Sequence, residues 1–343
     1  MKDQNDKKIA LWLLTCCAMI FSMILVGGLT RLTDSGLSII LWNPALDWLP
    51  PMNLAEWEEF FARYRQSPEF KIINYDINLE GFKSIFWLEY THRLLGRVMG
   101  VVFLLPMLYF MLQKQIRGRL AMAFMGIFLL GILQGNIGMF LVQSGLVDAP
   151  RISPYRLTLH LGLAVTIYAA ILWLALSKLN PKTGDDHESF QKLVVPAILL
   201  GSLIFLTILS GGAMAGANAG LAFNSYPLMD GRWIPTEYMD QQPVYQAFFE
   251  HIPTVQWNHR ALTLTVFSGS ILFWLMLKLQ LPRGKTQTLG TAMVFMAHVE
   301  ICLGIATLLL RVPVPLASAH QASAMILFTL VLILMHRLVH RQV

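Results

Sequence analysis

The sequence predicts an all-α integral membrane protein. Eight transmembrane helices are expected, arranged as two parallel-repeat four-helix bundles with both termini cytoplasmic. Three observations predict this. Only 13% of the 343 residues are charged and 55% are hydrophobic, with a mean hydropathy of +0.56, whereas an ordinary soluble domain carries about 25% charged residues. Eight apolar runs are long enough to cross a bilayer, which takes about 20 residues. Several short blocks of the first half recur, in order, in the second.

The composition excludes a soluble globular enzyme and a disordered chain. The net charge of +6 comes from Lys and Arg near the ends of apolar runs. No basic domain offers itself to nucleic acid, and no nucleic-acid partner is expected. Cys16, Cys17 and Cys302 lie inside apolar runs and form no disulfide framework. There is no CxxCH, HExxH, P-loop or GxGxxG.

The runs are 9–30, 86–112, 119–141, 157–177, 193–214, 256–279, 287–310 and 316–335. The first follows Lys7-Lys8, is too long for a signal-peptide core, and is expected to be a retained helix of a bacterial membrane. Pro106 and Pro196 fall inside runs, which membrane helices tolerate. One set of connections carries 14 Lys and Arg, among them Lys7, Lys8, Lys114, Lys182 and Arg341; the other carries nine. The richer side is expected to be cytoplasmic. Both termini then lie inside, which needs an even number of spans. The outer loops 31–85 and 215–255 are the long ones. In the first, Asn53 and Glu56 have the spacing of a capping box. Trp57, Phe60, Phe61 and Tyr64 form an amphipathic face expected to lie on the membrane or to cap the bundle.

The repeat rests on matched blocks. Leu25-Val-Gly-Gly corresponds to Leu209-Ser-Gly-Gly, and Gly36-Leu37 to Gly220-Leu221 at the same offset. Tyr90-Thr-His-Arg corresponds to Trp257-Asn-His-Arg, and Leu159-His160 to Ala319-His320. The expected domains are 1–177 and 178–343, each of four helices crossing in the same sense.

His92, His160, His259 and His320 each begin an even-numbered span, so all four are expected at similar depth near the outer face. His187, His251, His336 and His340 read as solvated or interfacial. His298 lies mid-span beside Glu300 without a repeat partner. Two imidazoles facing across a four-helix bundle make good axial ligands for a haem iron. Zinc catalysis wants three ligands and often a carboxylate; copper sites usually add Cys or Met, and the 18 Met here show no cluster. One haem pocket per half is expected.

The halves differ beside the first of each half's paired histidines. Glu89 precedes His92 by three residues and shares its helix face, whereas the equivalent of Glu89 is Gln256. A carboxylate there can accept a proton or stabilise developing positive charge. It can equally pair with Arg93 or orient His92. Arg93 and Arg260 follow two of the histidines and suit either haem propionates or interfacial snorkelling. Gly96/Gly100 and Gly131/Gly135 have the spacing of close helix approach.

These blocks also carry a resemblance. Gly27-Gly-Leu-Thr-Arg-Leu-Thr-Asp-Ser-Gly-Leu-Ser, Pro68-Glu-Phe-Lys-Ile-Ile-Asn, Glu89-Tyr-Thr-His-Arg-Leu-Leu-Gly-Arg, Gln134-Gly-Asn-Ile-Gly, Trp257-Asn-His-Arg and Ala319-His-Gln resemble the haem A synthases. The likeness spans nearly the whole chain. It is to the alphaproteobacterial and mitochondrial branch, whose outer loop lacks a cysteine pair. The resemblance implies oxidation of the C8 methyl of haem O to a formyl group, by successive hydroxylation with water-derived oxygen. It implies haem b as cofactor, held by His259 and His320 with Arg260 nearby, and haem O between His92 and His160 with Arg93 nearby and Glu89 catalytic. It also implies association with haem O synthase, self-association, contact with membrane lipid, and a place in the bacterial inner membrane with the haem sites toward the periplasm. A b-type dihaem electron-transfer cytochrome is the alternative. A transporter with histidines in a proton path is a third reading, favoured only by His298 and Glu300.

Overall fold

A computed structural model describes residues 2–40, 48–146, 150, 152–179 and 188–340. The expectations for Lys182, His187 and Arg341 fall outside them. The helices are, in order, α1 (Lys2–Leu32), α2 (Leu54–Tyr64), α3 (Pro68–Ile72), α4 (Leu79–Leu112), α5 (Arg119–Gln143), α6 (Pro154–Leu179), α7 (Glu188–Gly216), α8 (Val244–Ala247), α9 (Ile252–Gln280), α10 (Lys285–Leu309) and α11 (Val314–His340). No strand occurs among the described residues. Eight helices, α1, α4–α7 and α9–α11, are long and apolar enough to cross a membrane. The chain is a multi-pass membrane protein.

Each predicted run falls in one of these eight, Leu310 alone lying one residue past its helix, and most helices outlast the apolar stretches. Helix α4 begins at Leu79 rather than 86 because Asn78 caps it, its side chain accepting from Gly81 N at 2.9 Å. Helix α9 begins at Ile252 with a proline in its first turn, where the missing N–H costs nothing. Helix ends are set by caps, and these sit beyond the hydrophobic core.

The chain forms two compact units, residues 18–167 and residues 1–17 with 168–343. In the larger unit α7 packs on α9, α9 on α10, α10 on α11 and α11 back on α7, closing a four-helix ring. The ends of α1 and α6 join it. Lys178 Nζ donates to Asp6 Oδ1 at 2.7 Å, and the Tyr168 and Thr329 hydroxyls meet at 2.7 Å. This corrects one expectation. His336 is fully buried rather than interfacial, with its Nε2 3.0 Å from Ser177 Oγ and its ring 5.0 Å from that of Trp173.

In the other unit the predicted amphipathic helix α2 caps the N-terminal turns of α4. Trp57 meets Phe86 edge-on at 4.9 Å, and Tyr64 stacks on Phe82 at 5.1 Å. Asn53 Oδ1 accepts from Glu56 N at 3.0 Å, while Glu56 reaches back to Met52 N at 2.6 Å. Fully buried Tyr64 and Phe82 each contribute about 1.5–3 kcal/mol by leaving water. Their burial fixes loop 48–78 against α4. Glu69 lies under this cluster, its carboxylate accepting from Tyr64 Oη at 3.0 Å. Burial raises its pKa to about 8.

Candidate functional site

Each of the four repeat-related histidines faces a glycine of another helix. A Cβ added to Gly27 of α1 would stand 3.0 Å from His92 Nε2. One on Gly138 of α5 would stand 2.9 Å from His160 Cε1. In the larger unit Gly211 of α7 faces His259 at 3.5 Å, and Gly304 of α10 faces His320 at 2.9 Å. A missing side chain lets each ring settle into the groove between helices. Sequence reasoning missed Gly138 and Gly304 as partners. Each lies four residues after the polar residue nearest the same histidine, Gln134 or Glu300, and that shared spacing was the available signal. Gly100, Gly131 and Gly135, read as close-approach positions, have nothing within 4 Å.

The C-terminal pair is oriented on both sides. The rings of His259 and His320 have centroids 6.4 Å apart and stand 86° to one another. Taking about 2 Å for a metal–imidazole bond, two opposed imidazoles on one metal place their centroids roughly 6 Å apart. The donor set and its spacing therefore fit a six-coordinate haem iron. Ser210 Oγ lies 2.7 Å from His259 Nδ1 and 2.7 Å from Thr207 O. The hydroxyl has one proton, which it gives to the carbonyl, so it accepts from Nδ1–H. That tautomer leaves Nε2 free to bind a metal. On the other side Glu300 Oε1 lies 3.1 Å from His320 Nδ1, and Ser323 Oγ donates to Glu300 Oε2.

The N-terminal pair is held more loosely. Gln134 of α5 donates to His160 O at 3.0 Å, with its amide nitrogen 3.5 Å from His160 Nε2. Nδ1 of His160 and Nδ1 of His320 alike have no hydrogen-bond partner among the described residues, but only His320 has a carboxylate at ion-pair distance. At the offsets of the repeat, Val26 stands where Ser210 does, Gln134 where Glu300 does, and Leu163 where Ser323 does.

Glu89 and Gln256 both hold the chain that returns from the preceding helix, with opposite polarity. Glu89 Oε2 accepts from Ser38 Oγ at 2.7 Å and Ile39 N at 2.8 Å, and Oε1 pairs with Arg93. Gln256 Nε2 instead donates to Ala219 O at 3.0 Å and Ala222 O at 2.5 Å. The arginines do the same task twice. Arg93 Nη2 donates to Ile39 O at 2.8 Å, and Arg260 Nη2 donates to Phe223 O at 2.7 Å. Of the two sequence readings for Glu89, the pairing with Arg93 is present. His298 does not join the site. It is exposed, bonded to Val294 O at 2.8 Å and set against Phe267.

Residues 10–332 match the family described as COX15-CtaA, cytochrome oxidase assembly protein. The chain belongs to that family. Among its COX15-CtaA relatives, the "Heme A synthase" of Nitrosospira multiformis is 48% identical over 334 residues, 97% of this chain and 94% of the relative. "Heme A synthase COX15" of Arabidopsis thaliana is 40% identical over 98% of this chain and 75% of its own length. The human protein of the same name is 40% identical over 97% of this chain and 83% of its own. The resemblance read from the motifs is therefore to the right family.

Proposed function

We propose that this chain is a haem A synthase, which oxidises the C8 methyl of haem O to the formyl group of haem A for terminal oxidases. The observation that carries this reading is the inequality of the two histidine pairs within one COX15-CtaA chain. One has a polar group at Nδ1 of each ring, Ser210 hydrogen-bonded to His259 and Glu300 at 3.1 Å from His320, as suits a resident cofactor; in the other, His160 Nδ1 has neither a hydrogen bond nor a carboxylate beside it among the described residues, as suits an exchanging substrate.

Conversion of a methyl to a formyl group consumes one water and releases four electrons and four protons. His92 and His160 bind haem O and set its depth. Gly27 and Gly138 leave the rings room to face it. Glu89 is the catalytic carboxylate. Held by Ser38, Ile39 N and Arg93, it keeps a fixed geometry beside His92, where it stabilises positive charge developing at the reacting carbon and receives a proton released there. Arg93 and Arg260 hold the loops that roof the two pockets. His259 and His320 bind haem b, which supplies one-electron redox chemistry when bound.

The reading includes a parallel repeat of residues 1–177 and 178–343 in a bacterial inner membrane, both termini cytoplasmic and both pockets toward the periplasm. Lys and Arg clustered on one set of connections support that orientation. The expected partners are haem O synthase, which supplies the substrate, a second copy of the chain, and lipid.

The test is chromatography of haems extracted from protein purified out of cells co-expressing a haem O synthase. Haem A or hydroxylated haem O beside haem b is the expected result. Haem b alone, with haem O present in the same membranes, overturns the reading in favour of an electron-transfer cytochrome.

A further inference from the structure

Glu300 was read from the sequence only as a mid-membrane charge suited to a proton path. The structure places it elsewhere. Its side chain is 13% exposed and turned to the axial face of the larger unit, with Oε1 3.1 Å from His320 Nδ1 and Oε2 receiving the Ser323 hydroxyl. Ser210 holds the opposite ring from behind at 2.7 Å. The two groups stand at the two Nδ1 atoms, which leaves the two Nε2 atoms as the donors that would hold a metal. The corresponding positions of the other unit, Gln134, Leu163 and Val26, supply one neutral amide and two apolar side chains.

We infer that Glu300, seconded by Ser323, and Ser210 are positioning residues that make His259 and His320 a permanent, low-potential ligand pair, and that their absence behind His92 and His160 is what lets the first pocket exchange its haem. This rests on the reading of His259 and His320 as the resident haem b ligands. The physical chain is short. A group on Nδ1 fixes the ring's tautomer and orientation and raises the basicity of Nε2. A carboxylate at ion-pair distance does so more strongly than an amide, since it carries a full negative charge. A more basic ligand favours ferric over ferrous iron, which lowers the reduction potential. An imidazole without such a partner turns and releases its metal more readily. The exchange of acid for amide is reciprocal. Glu89 and Gln134 serve the first half, Gln256 and Glu300 the second, so each unit has one carboxylate, placed where its task differs.

The experiment uses the purified full chain. Redox titration gives the midpoint potential of the low-spin haem, and haem b per polypeptide is followed during incubation with a haem-scavenging apoprotein. Glu300→Gln keeps the shape of the side chain and removes its charge. It is expected to raise the potential, by about 59 mV for each tenfold loss in ferric-over-ferrous preference, with Glu300→Asp returning part of the shift. Ser210→Ala is expected to speed haem b loss by about 10- to 100-fold. An unchanged potential in Glu300→Gln together with unchanged haem retention in Ser210→Ala overturns the inference while leaving the functional reading intact. A wild-type protein without a bis-histidine low-spin spectrum overturns that reading, and the inference with it. Should Glu300→Gln not fold, the reverse change decides. Val26→Ser with Gln134→Glu and Leu163→Ser should slow the exchange of haem from the first pocket, and no slowing overturns the inference.

Discussion

At Nδ1 of His320 stands a carboxylate; its matched residue in the other unit, Gln134, is an amide that reaches the Nε2 side and the backbone carbonyl of His160. Above His259 an amide donates to the returning loop; above His92 a carboxylate accepts from it. The two units share their frame, with a glycine against each histidine and an arginine clamping each loop at Ile39 and Phe223. They differ in where the charge sits and in the hydroxyls that accompany it. In the first unit the charge is Glu89, three residues before His92, and in the second it is Glu300, at Nδ1 of His320, with Ser210 and Ser323 where the first unit has Val26 and Leu163. On the proposed reading, the comparison teaches that the groups one layer out would make one histidine pair a cofactor site and the other a substrate site, while the histidines stay the same.

The bluntest way to break the comparison is to remove ligands from each side in turn. His259→Ala or His320→Ala is expected to abolish the low-spin haem b spectrum. His92→Ala or His160→Ala is expected to leave that spectrum and stop haem A formation, read by haem chromatography. Equal loss of haem b from both sets would erase the distinction. Next in size, Glu89→Gln should lower product formation by about 10²- to 10⁴-fold with haem content retained; full activity sinks the catalytic assignment.

A finer test uses the glycines. Gly138→Ala and Gly304→Ala place a methyl 2.9 Å from an imidazole carbon, too close without movement, and overpacking of this kind costs about 1–3 kcal/mol. Gly211→Ala, at 3.5 Å, should be nearly silent. Thermal unfolding in detergent should rank them in that order, and haem b should fall in Gly304→Ala but not in Gly138→Ala.

The smallest effect concerns the roof of the first pocket. Glu69 has its pKa raised to about 8 by burial, above the ordinary glutamate value, so the folded loop holds a proton that the unfolded chain gives up. Its contribution is complete below the ordinary value and is lost as pH rises through about 8. Protection factors of the α2 and α3 amides, taken relative to the base-catalysed intrinsic rate, should therefore fall from pH 6 to 9, and Glu69→Gln should flatten that dependence.

The spans were legible because a bilayer imposes a length and a composition that a sequence cannot conceal. The four histidines were legible because the repeat placed them at matched positions. What escaped lay in contacts between helices distant in sequence. Gly138 and Gly304 look like any small residue of a membrane helix until the ring of His160 or His320 is set against them. Glu300 looked like an isolated charge because its partner lies 20 residues onward, on the next helix. The Glu89/Gln256 difference was visible, but its counterpart Gln134/Glu300 was not, so the first half seemed the only one with an acid near its pocket. His336 was read as interfacial because hydropathy places a C-terminal histidine at the boundary. Burial under residues 168–179 is a property of packing, to which hydropathy is blind.

The glycine opposite each imidazole also bears on how two halves of one chain could grow apart. At Gly27, Gly138 and Gly304 even a methyl would meet an imidazole at 3.0 Å or less, whereas Gly211 has room for one. Specialisation around the three tight positions would proceed by trading polar groups a single turn away. A duplicated module constrained in this manner can acquire a second job while its inherited scaffold stays nearly unaltered. Descendants of such a chain should differ from one another first in those neighbouring turns and last at the glycines.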